Sequence, residues 1–280
     1  MRLTPEQLAQ LDTAGYIVVE CPFPRQLTDA CLVAVDKVSV TPEQISHDAK
    51  KNHFSLTPHI ADSYWSKLDH LLPFLQIELH PEIIELARQL MEMEDIYFRN
   101  GGINELAPGR GFLWHRDSEW ECIELMHYFS NASITDGCLR VLPGSHIGEK
   151  ERWLDEITRL RKERGYDDPP TMEGPADVEM QGELPLEVTS DHLIIRSSKI
   201  LHATWKNQSE SGRLMHHWLF RRGDEPNHRF TWQDYLTEEL IGALSNQQKG
   251  ILWLDRKFEI DEKYIGERYR ELGKVSWGVL

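Results

Sequence analysis

The stretch Asp191–Phe220, DHLIIRSSKILHATWKNQSESGRLMHHWLF, decides how the second half of the chain is read. Leu193-Ile194-Ile195 is a short apolar run of the kind a buried strand shows. It leads through a polar turn to Ile200-Leu201-His202. Eleven residues beyond His202, Arg213 opens another strand-like run, RLMHHWLFRR. Strands this short and this closely spaced predict antiparallel pairing.

The same texture extends backwards. From Ile96 the chain carries IYFRN, FLWHRD, IELMHYFS and CLRVLPG, each bounded by turn residues such as Gly137 and Pro143-Gly144. A helix-like insert, EKERWLDEITRLRKERG, and the Pro-rich YDDPPTMEGPAD interrupt them. Before Ile96 the sequence is mainly helical: LTDACLVAVDKV and PEIIELARQLM repeat apolar residues at helical spacing. The opening residues predict a helix with Thr4 as N-cap, Pro5 at its first position and Leu8 and Leu11 on one face, then a strand around Tyr16–Val19. Between these helices, the polar, His-rich segment 47–65 reads either as a lid over a site or as a surface connection. The tail from Phe230 returns to helical patterns. The expectation is one domain over 1–280: a helical part to about 95, a β-barrel or sandwich core over about 96–222, and a helical tail over about 230–280.

Composition narrows the function. With 280 residues, 40% hydrophobic and 28% charged, the chain can bury one substantial core. A net charge of −15 disfavours nucleic acid and acidic membranes as partners but does not reveal the substrate, because a local basic pocket can sit inside an acidic protein. No apolar run is long enough to span a bilayer, and the N-terminus lacks the plan of a signal peptide. Cys21, Cys31, Cys122 and Cys138 show no paired spacing, as free thiols in the cytoplasm would. The sequence does not set an oligomeric state.

Trp114–Trp120, WHRDSEW, contains the HRD of protein kinases. A kinase also needs a glycine-rich phosphate loop, a nearby Asn, and DFG and APE downstream. All are missing, so that reading fails. In an extended strand residues i and i+2 share a face, so His115 and Asp117 can present an imidazole and a carboxylate to one ion. With a second imidazole from His202, the set becomes the two-His-one-carboxylate arrangement suited to non-heme Fe(II). Arg213 could grip a carboxylate of a co-substrate whose other end chelates the metal.

Together, LTPEQLAQLDTAGYIVV, WHRD, DGCLRVLPGSH and LHATWKNQSESGR resemble the phytanoyl-CoA dioxygenase superfamily of Fe(II)/2-oxoglutarate oxygenases. The resemblance runs in order from the first residues to about Phe220. It implies a double-stranded β-helix, a cupin-like jelly roll framed by helices. By the same resemblance His115, Asp117 and His202 are the iron ligands, Arg213 pairs with the distal carboxylate of 2-oxoglutarate, and Thr204 adds a hydroxyl to it. INELAPG followed by FLWHRD is similar to the ectoine-hydroxylase branch, which makes Asn104 and Asn100 candidates near 2-oxoglutarate or substrate and Phe112 a ring wall. The implied reaction consumes O2 and hydroxylates an unactivated C–H of a small metabolite, releasing succinate and CO2. Desaturation, epimerisation or ring formation by the same oxidant stays open, while an intact Asp117 argues against halogenation.

The remaining residues have plainer readings beside functional ones. His127, Trp120 and Arg110 are candidates for touching substrate, or else core filler (His127 and Trp120) and solvated surface (Arg110). Arg140 reads as solvated surface before it reads as an anion receptor. His216 and His217 must point to opposite faces of a strand. His146 fixes a turn, and Arg116 points away from the metal. The rival functions are a jelly-roll binding protein without chemistry and a zinc hydrolase, in which Arg213 would have no task.

Overall fold

Thr4 Oγ1 accepts from the Gln7 amide at 3.3 Å, Gln7 Oε1 accepts from the Thr4 amide at 2.9 Å, and Pro5 takes the first position of helix α1 (Pro5–Ala14). The helix stops at Gly15, whose φ of +82° suits glycine and whose missing Cβ would lie 2.5 Å from His146 Nδ1. His146 Nε2 in turn donates to the Asp12 carbonyl at 3.1 Å, so this histidine ties its turn to α1. The computed structural model describes residues 1–37, 53–56, 68–117, 122–148, 150–163, 165, 178–224, 232 and 236–256.

Two antiparallel sheets follow from the short strands. The larger runs in the order β1 (Tyr16–Glu20), β8 (His192–Ser197), β5 (Ile123–Tyr128), β10 (Arg213–Arg222), β3 (Ile96–Leu106) and β2 (His53–Leu56). The smaller runs β4 (Phe112–His115), β9 (His202–Thr204), β6 (Leu139–Val141), β7 (Leu184–Pro185). This is the jelly roll the resemblance implied.

Strand alternation sends neighbouring residues to different compartments. Tyr16, Met126, Tyr128, Leu139, Val141 and Ile194 pack with one another, with members from both sheets, and so fill the space between them. On the other face of the large sheet, Ile17, Val19, Leu125, Ile195, Trp218 and Phe220 pack beneath helices α2 (Arg25–Lys37), α3 (Leu68–Glu78) and α4 (Pro81–Met91). Each such side chain contributes about 1.5–3 kcal/mol by leaving water. The outer face of the small sheet buries Trp114, Leu201 and Ala203 against Ile157 of helix α5 (Lys150–Glu163). In the tail, α6 (Glu238–Ala243) and α7 (Asn246–Ile251), capped by Thr237 and Ser245, add Leu240 and Ile251 to the large cluster. No helix among the described residues is long and apolar enough to cross a membrane.

Two expectations change. Within the segment 47–65, residues 53–56 are a strand paired to β3, His53 opposite Leu106, and the rest of that segment lies outside the described residues. Arg140 is fully buried, not solvated. Leu139 and Val141 take the inward positions of β6, which turns Arg140 outward between the rings of Trp114 and Trp205, at 4.7 and 4.0 Å. Its Nη1 donates to the Val178 carbonyl at 3.0 Å and to Glu183 at 3.1 Å.

At the C-terminal end of α3, Glu78 meets His216 of β10, with 2.8 Å between Oε1 and Nε2. Only a glycine at 101 leaves room, since a Cβ there would lie 1.8 Å from Glu78 Oε1. Burial pushes the Glu78 carboxyl up to about 8, against the pull of His217. Burial, reinforced by His217, holds His216 well below the usual imidazole value. Near neutrality the pair is therefore a carboxylic acid donating to a neutral imidazole. A carboxyl raised above its ordinary value of 4.5 stabilises the fold fully below that pH and loses the contribution as pH rises through about 8. Urea unfolding should show wild-type stability falling from about pH 5 to about pH 9, and Glu78→Gln should flatten that decline. Parallel profiles for the two proteins would mean that Glu78 is ionised in the fold.

Candidate metal centre and co-substrate site

β4 and β9 lie side by side, with Phe112 opposite Thr204 and His115 opposite His202, and a register shift between the two pairs. Because Trp114 and Ala203 go outward beneath α5, the two histidines turn inward, their ring centroids 4.1 Å apart. Asp117 comes back to the same place. Its amide donates to the Ser198 carbonyl at 3.1 Å, its Oδ1 lies 3.3 Å from His115 Nε2, and its Oδ2 lies 3.5 Å from His202 Nε2. One donor atom from each of the three residues falls within 4.8 Å of the others.

Protonation suits a cation. His202 Nδ1 donates to the Ile200 carbonyl at 2.9 Å, which leaves the Nε2 lone pair facing Asp117. Burial and the nearby Arg196 charge hold His202 well below the usual imidazole value, so it is neutral. Burial works to raise the Asp117 carboxyl, but Arg196, with His202 and His115, holds it well below the usual carboxylate range. A neutral imidazole, an ionised carboxylate and a second imidazole at this spacing fit a divalent ion that takes N and O donors.

Arg213, the first residue of β10, is 5% exposed and lies over the Tyr128 ring at 4.7 Å. Its Nε and Nη1 are buried without a hydrogen-bond partner, and so is Thr204 Oγ1. Orphaned buried donors are costly, and a guanidinium fork of this kind is completed by a carboxylate. Thr204 stands two residues beyond His202, on the same inward side of β9. The unpartnered donors of Arg213 and Thr204 and the His-Asp-His donors therefore face one interior.

The other sequence candidates separate. Phe112 packs edge-on against His115 at 4.7 Å between centroids. Asn104 is half-buried opposite Met215, two residues from Arg213. The backbone of Asn100 pairs with Leu219, and its side chain lies outside those described. Trp120 lies outside the described residues. Arg110 is exposed on the turn before β4. His127 does not face the interior: it packs edge-on to Phe23 and Phe129 under the helices and reaches the Ser190 carbonyl at 2.8 Å. Its strand is phased by Glu124, Met126 and Tyr128, which take the inward positions. Arg116 turns away from the triad to donate to the Ser145 carbonyl. His217 points inward, with Nδ1 3.3 Å from Glu124 Oε1, while His216 points outward to Glu78.

Sequence reasoning missed Arg196 and Glu124. Arg196 Nη2 donates to Asp117 Oδ2 and to Glu124 Oε2, and the two strands place Glu124 and Arg196 directly opposite. The available signal was one charge at an inward position in each of two apolar strands, HLIIRS and IELMHY.

The sequence pattern of the phytanoyl-CoA dioxygenase (PhyH) family matches residues 11–215. The chain belongs to that family. Membership makes this PhyH protein a 2-oxoglutarate-dependent dioxygenase, with Fe(II), 2-oxoglutarate and O2 as cofactor and co-substrates. Its family acts on small molecules. Among solved structures it is similar to HygX from Streptomyces hygroscopicus with nickel and 2-oxoglutarate bound (TM-score 0.62, 16% identity, covering 88% of this chain and 96% of HygX). It is also similar to SnoK, a non-heme alpha-ketoglutarate-dependent carbocyclase from nogalamycin biosynthesis (TM-score 0.57, 17% identity, 87% and 91% covered). EctD from S. alaskensis, with 2-oxoglutarate and 5-hydroxyectoine, gives a TM-score of 0.55 at 15% identity, with 79% and 76% covered. At these identities the likeness is one of fold. No curated protein sequence matches the chain.

Proposed function

We propose that this PhyH protein hydroxylates an unactivated C–H of a small metabolite, working as one domain over 1–280 with His115, Asp117 and His202 as its iron ligands. The observation that carries the reading is the meeting, in one interior, of two buried imidazoles and the half-buried Asp117 with the unpartnered donors of Arg213 and Thr204. Iron bound there with 2-oxoglutarate and O2 supplies the oxidising power, and succinate and CO2 leave.

The protein's own part is placement. His115, Asp117 and His202 would hold the metal from one side, which would leave room for 2-oxoglutarate and O2. Arg213 and Thr204 receive the distal carboxylate of 2-oxoglutarate, which directs its keto-acid end toward the triad. Phe112 walls the site beside His115, and Asn104 stands on the inner face near Arg213, within reach of co-substrate or substrate. As a ligand, the Asp117 carboxylate would take the place a halide needs, which favours hydroxylation over halogenation.

The test is an anaerobic titration of the metal-free protein with Fe(II) and 2-oxoglutarate, following the weak visible charge-transfer band of the chelate. The wild type should develop the band and His115→Ala should not. A wild type that binds iron but shows no band with 2-oxoglutarate would move the zinc-hydrolase and binding-protein readings to the front.

A further inference from the structure

Arg196 stands out among the buried charges around the triad. It is 3% exposed, sits at an inward position of β8, and joins two carboxylates, Asp117 and Glu124, through the same Nη2. Its Nε points to Met126 Sδ at 3.0 Å. Glu124 is held from its other side by His217. Without the guanidinium, two carboxylates would lie close together with only imidazole partners, His217 for Glu124 and the triad histidines for Asp117.

We propose that Arg196 is a positioning residue that restricts Asp117 to one metal-bound oxygen, so that 2-oxoglutarate and O2 both find room on the iron. The inference rests on the ligand set proposed above. Both Asp117 oxygens face an imidazole, Oδ1 that of His115 at 3.3 Å and Oδ2 that of His202 at 3.5 Å, but only Oδ2 also accepts from Arg196. The consequence is a matter of counting on an octahedral ion. Two imidazoles and a one-oxygen carboxylate leave three positions, two for the keto acid and one for O2. A carboxylate free to bind through both oxygens would take a fourth and force 2-oxoglutarate to compete for what remains. Glu124 accepts from the same Nη2, and the facing strands β5 and β8 fix the pair in register.

Removing Arg196 alone would leave the buried Glu124 with only His217 as partner and risks unfolding. The test therefore pairs Arg196→Lys with the double variant Arg196→Met/Glu124→Met, which removes both charges and keeps side-chain volume. Each protein is titrated with Co(II) alone, following ligand-field absorption, and then with 2-oxoglutarate at saturating Co(II). The double variant should fold and hold Co(II) at least as tightly as wild type, yet bind 2-oxoglutarate at least about 10-fold more weakly, although Arg213 and Thr204 are untouched. Arg196→Lys, which keeps a cationic donor, should restore binding close to wild type. Unchanged 2-oxoglutarate affinity in the double variant would overturn the proposal. So would loss of Co(II) binding from a folded double variant, because Arg196 would then hold the ligand itself and not limit it. A wild type that takes up no Co(II) would fail at the ligand set, and the inference would fall with it.

Discussion

Arg213→Ala should raise the 2-oxoglutarate concentration needed for half-saturation by about 100-fold or more, because each hydrogen bond to a charged partner contributes about 1.5–3 kcal/mol. Fe(II) binding should be unchanged, since Arg213 is not among the ligands. The two are separable in one anaerobic experiment: iron uptake by competition with a chromogenic chelator, then the charge-transfer band as 2-oxoglutarate is added. Arg213→Lys keeps the charge but not the fork, and should recover only part of the affinity. Thr204→Val in the same titration should cost far less, about 3- to 10-fold, as the loss of one neutral hydroxyl. Equal affinity in wild type and Arg213→Ala would mean that the orphaned guanidinium serves another anion, and would remove the observation on which the functional reading stands.

The second large effect concerns the neighbour of a proposed ligand. Trp114 is fully buried, donates from Nε1 to the Val178 carbonyl at 2.9 Å, and forms one side of the aromatic sandwich around Arg140. Trp114→Ala should cost about 3–5 kcal/mol in urea unfolding. It opens a cavity beneath α5, takes one of two donors from the Val178 carbonyl (Arg140 is the other), and removes one face from a buried cation. Trp114 and His115 are consecutive on β4, so the packing that holds the indole outward also holds the imidazole inward. Where Trp114→Ala stays folded, its Co(II) affinity should drop as well, while Trp114→Phe should preserve most of both. A destabilised variant with wild-type metal affinity would show that the β4–β9 pairing alone orients His115.

The parts of this site that could be read from the sequence are those fixed by local rules. His115 and Asp117 share a short motif, His202 ends a strand-like run, and Arg213 begins the next. The capped α1 and the strand after it were equally legible, because Thr4, Pro5 and Gly15 act within a few residues of themselves. What was hidden depended on pairing between distant strands. Alternation predicts that His127 and Met126 face opposite ways, but only the helices packed on the sheet decide which way is in. The partnership of Arg196 with Asp117 and Glu124 needs the β5–β8 register, which no local pattern encodes. Arg140 misled for a related reason: an arginine looks like surface until two tryptophans distant in sequence, Trp114 on β4 and Trp205 just past β9, enclose it. β2, a short strand in a polar segment, owes its state to the free edge of β3.

The two sides of β10 also bear on how this protein can change its length. From Arg213 to Leu219 the strand alternates between residues turned to the reaction chamber and residues turned to the helical core. Gaining or losing a single residue there would put the two ends of the strand out of phase, sending either Trp218 into the space between the sheets or Arg213 toward the helices, so one indel would cost either assembly or the site. Farther along, the sheet already carries a mismatch: Leu219 pairs with Asn100 and Phe220 with Phe98, which leaves Arg99 as a supernumerary residue on β3. Drift in strand length should be tolerated past that irregularity and in the connection from 205 to 212, and purged between them.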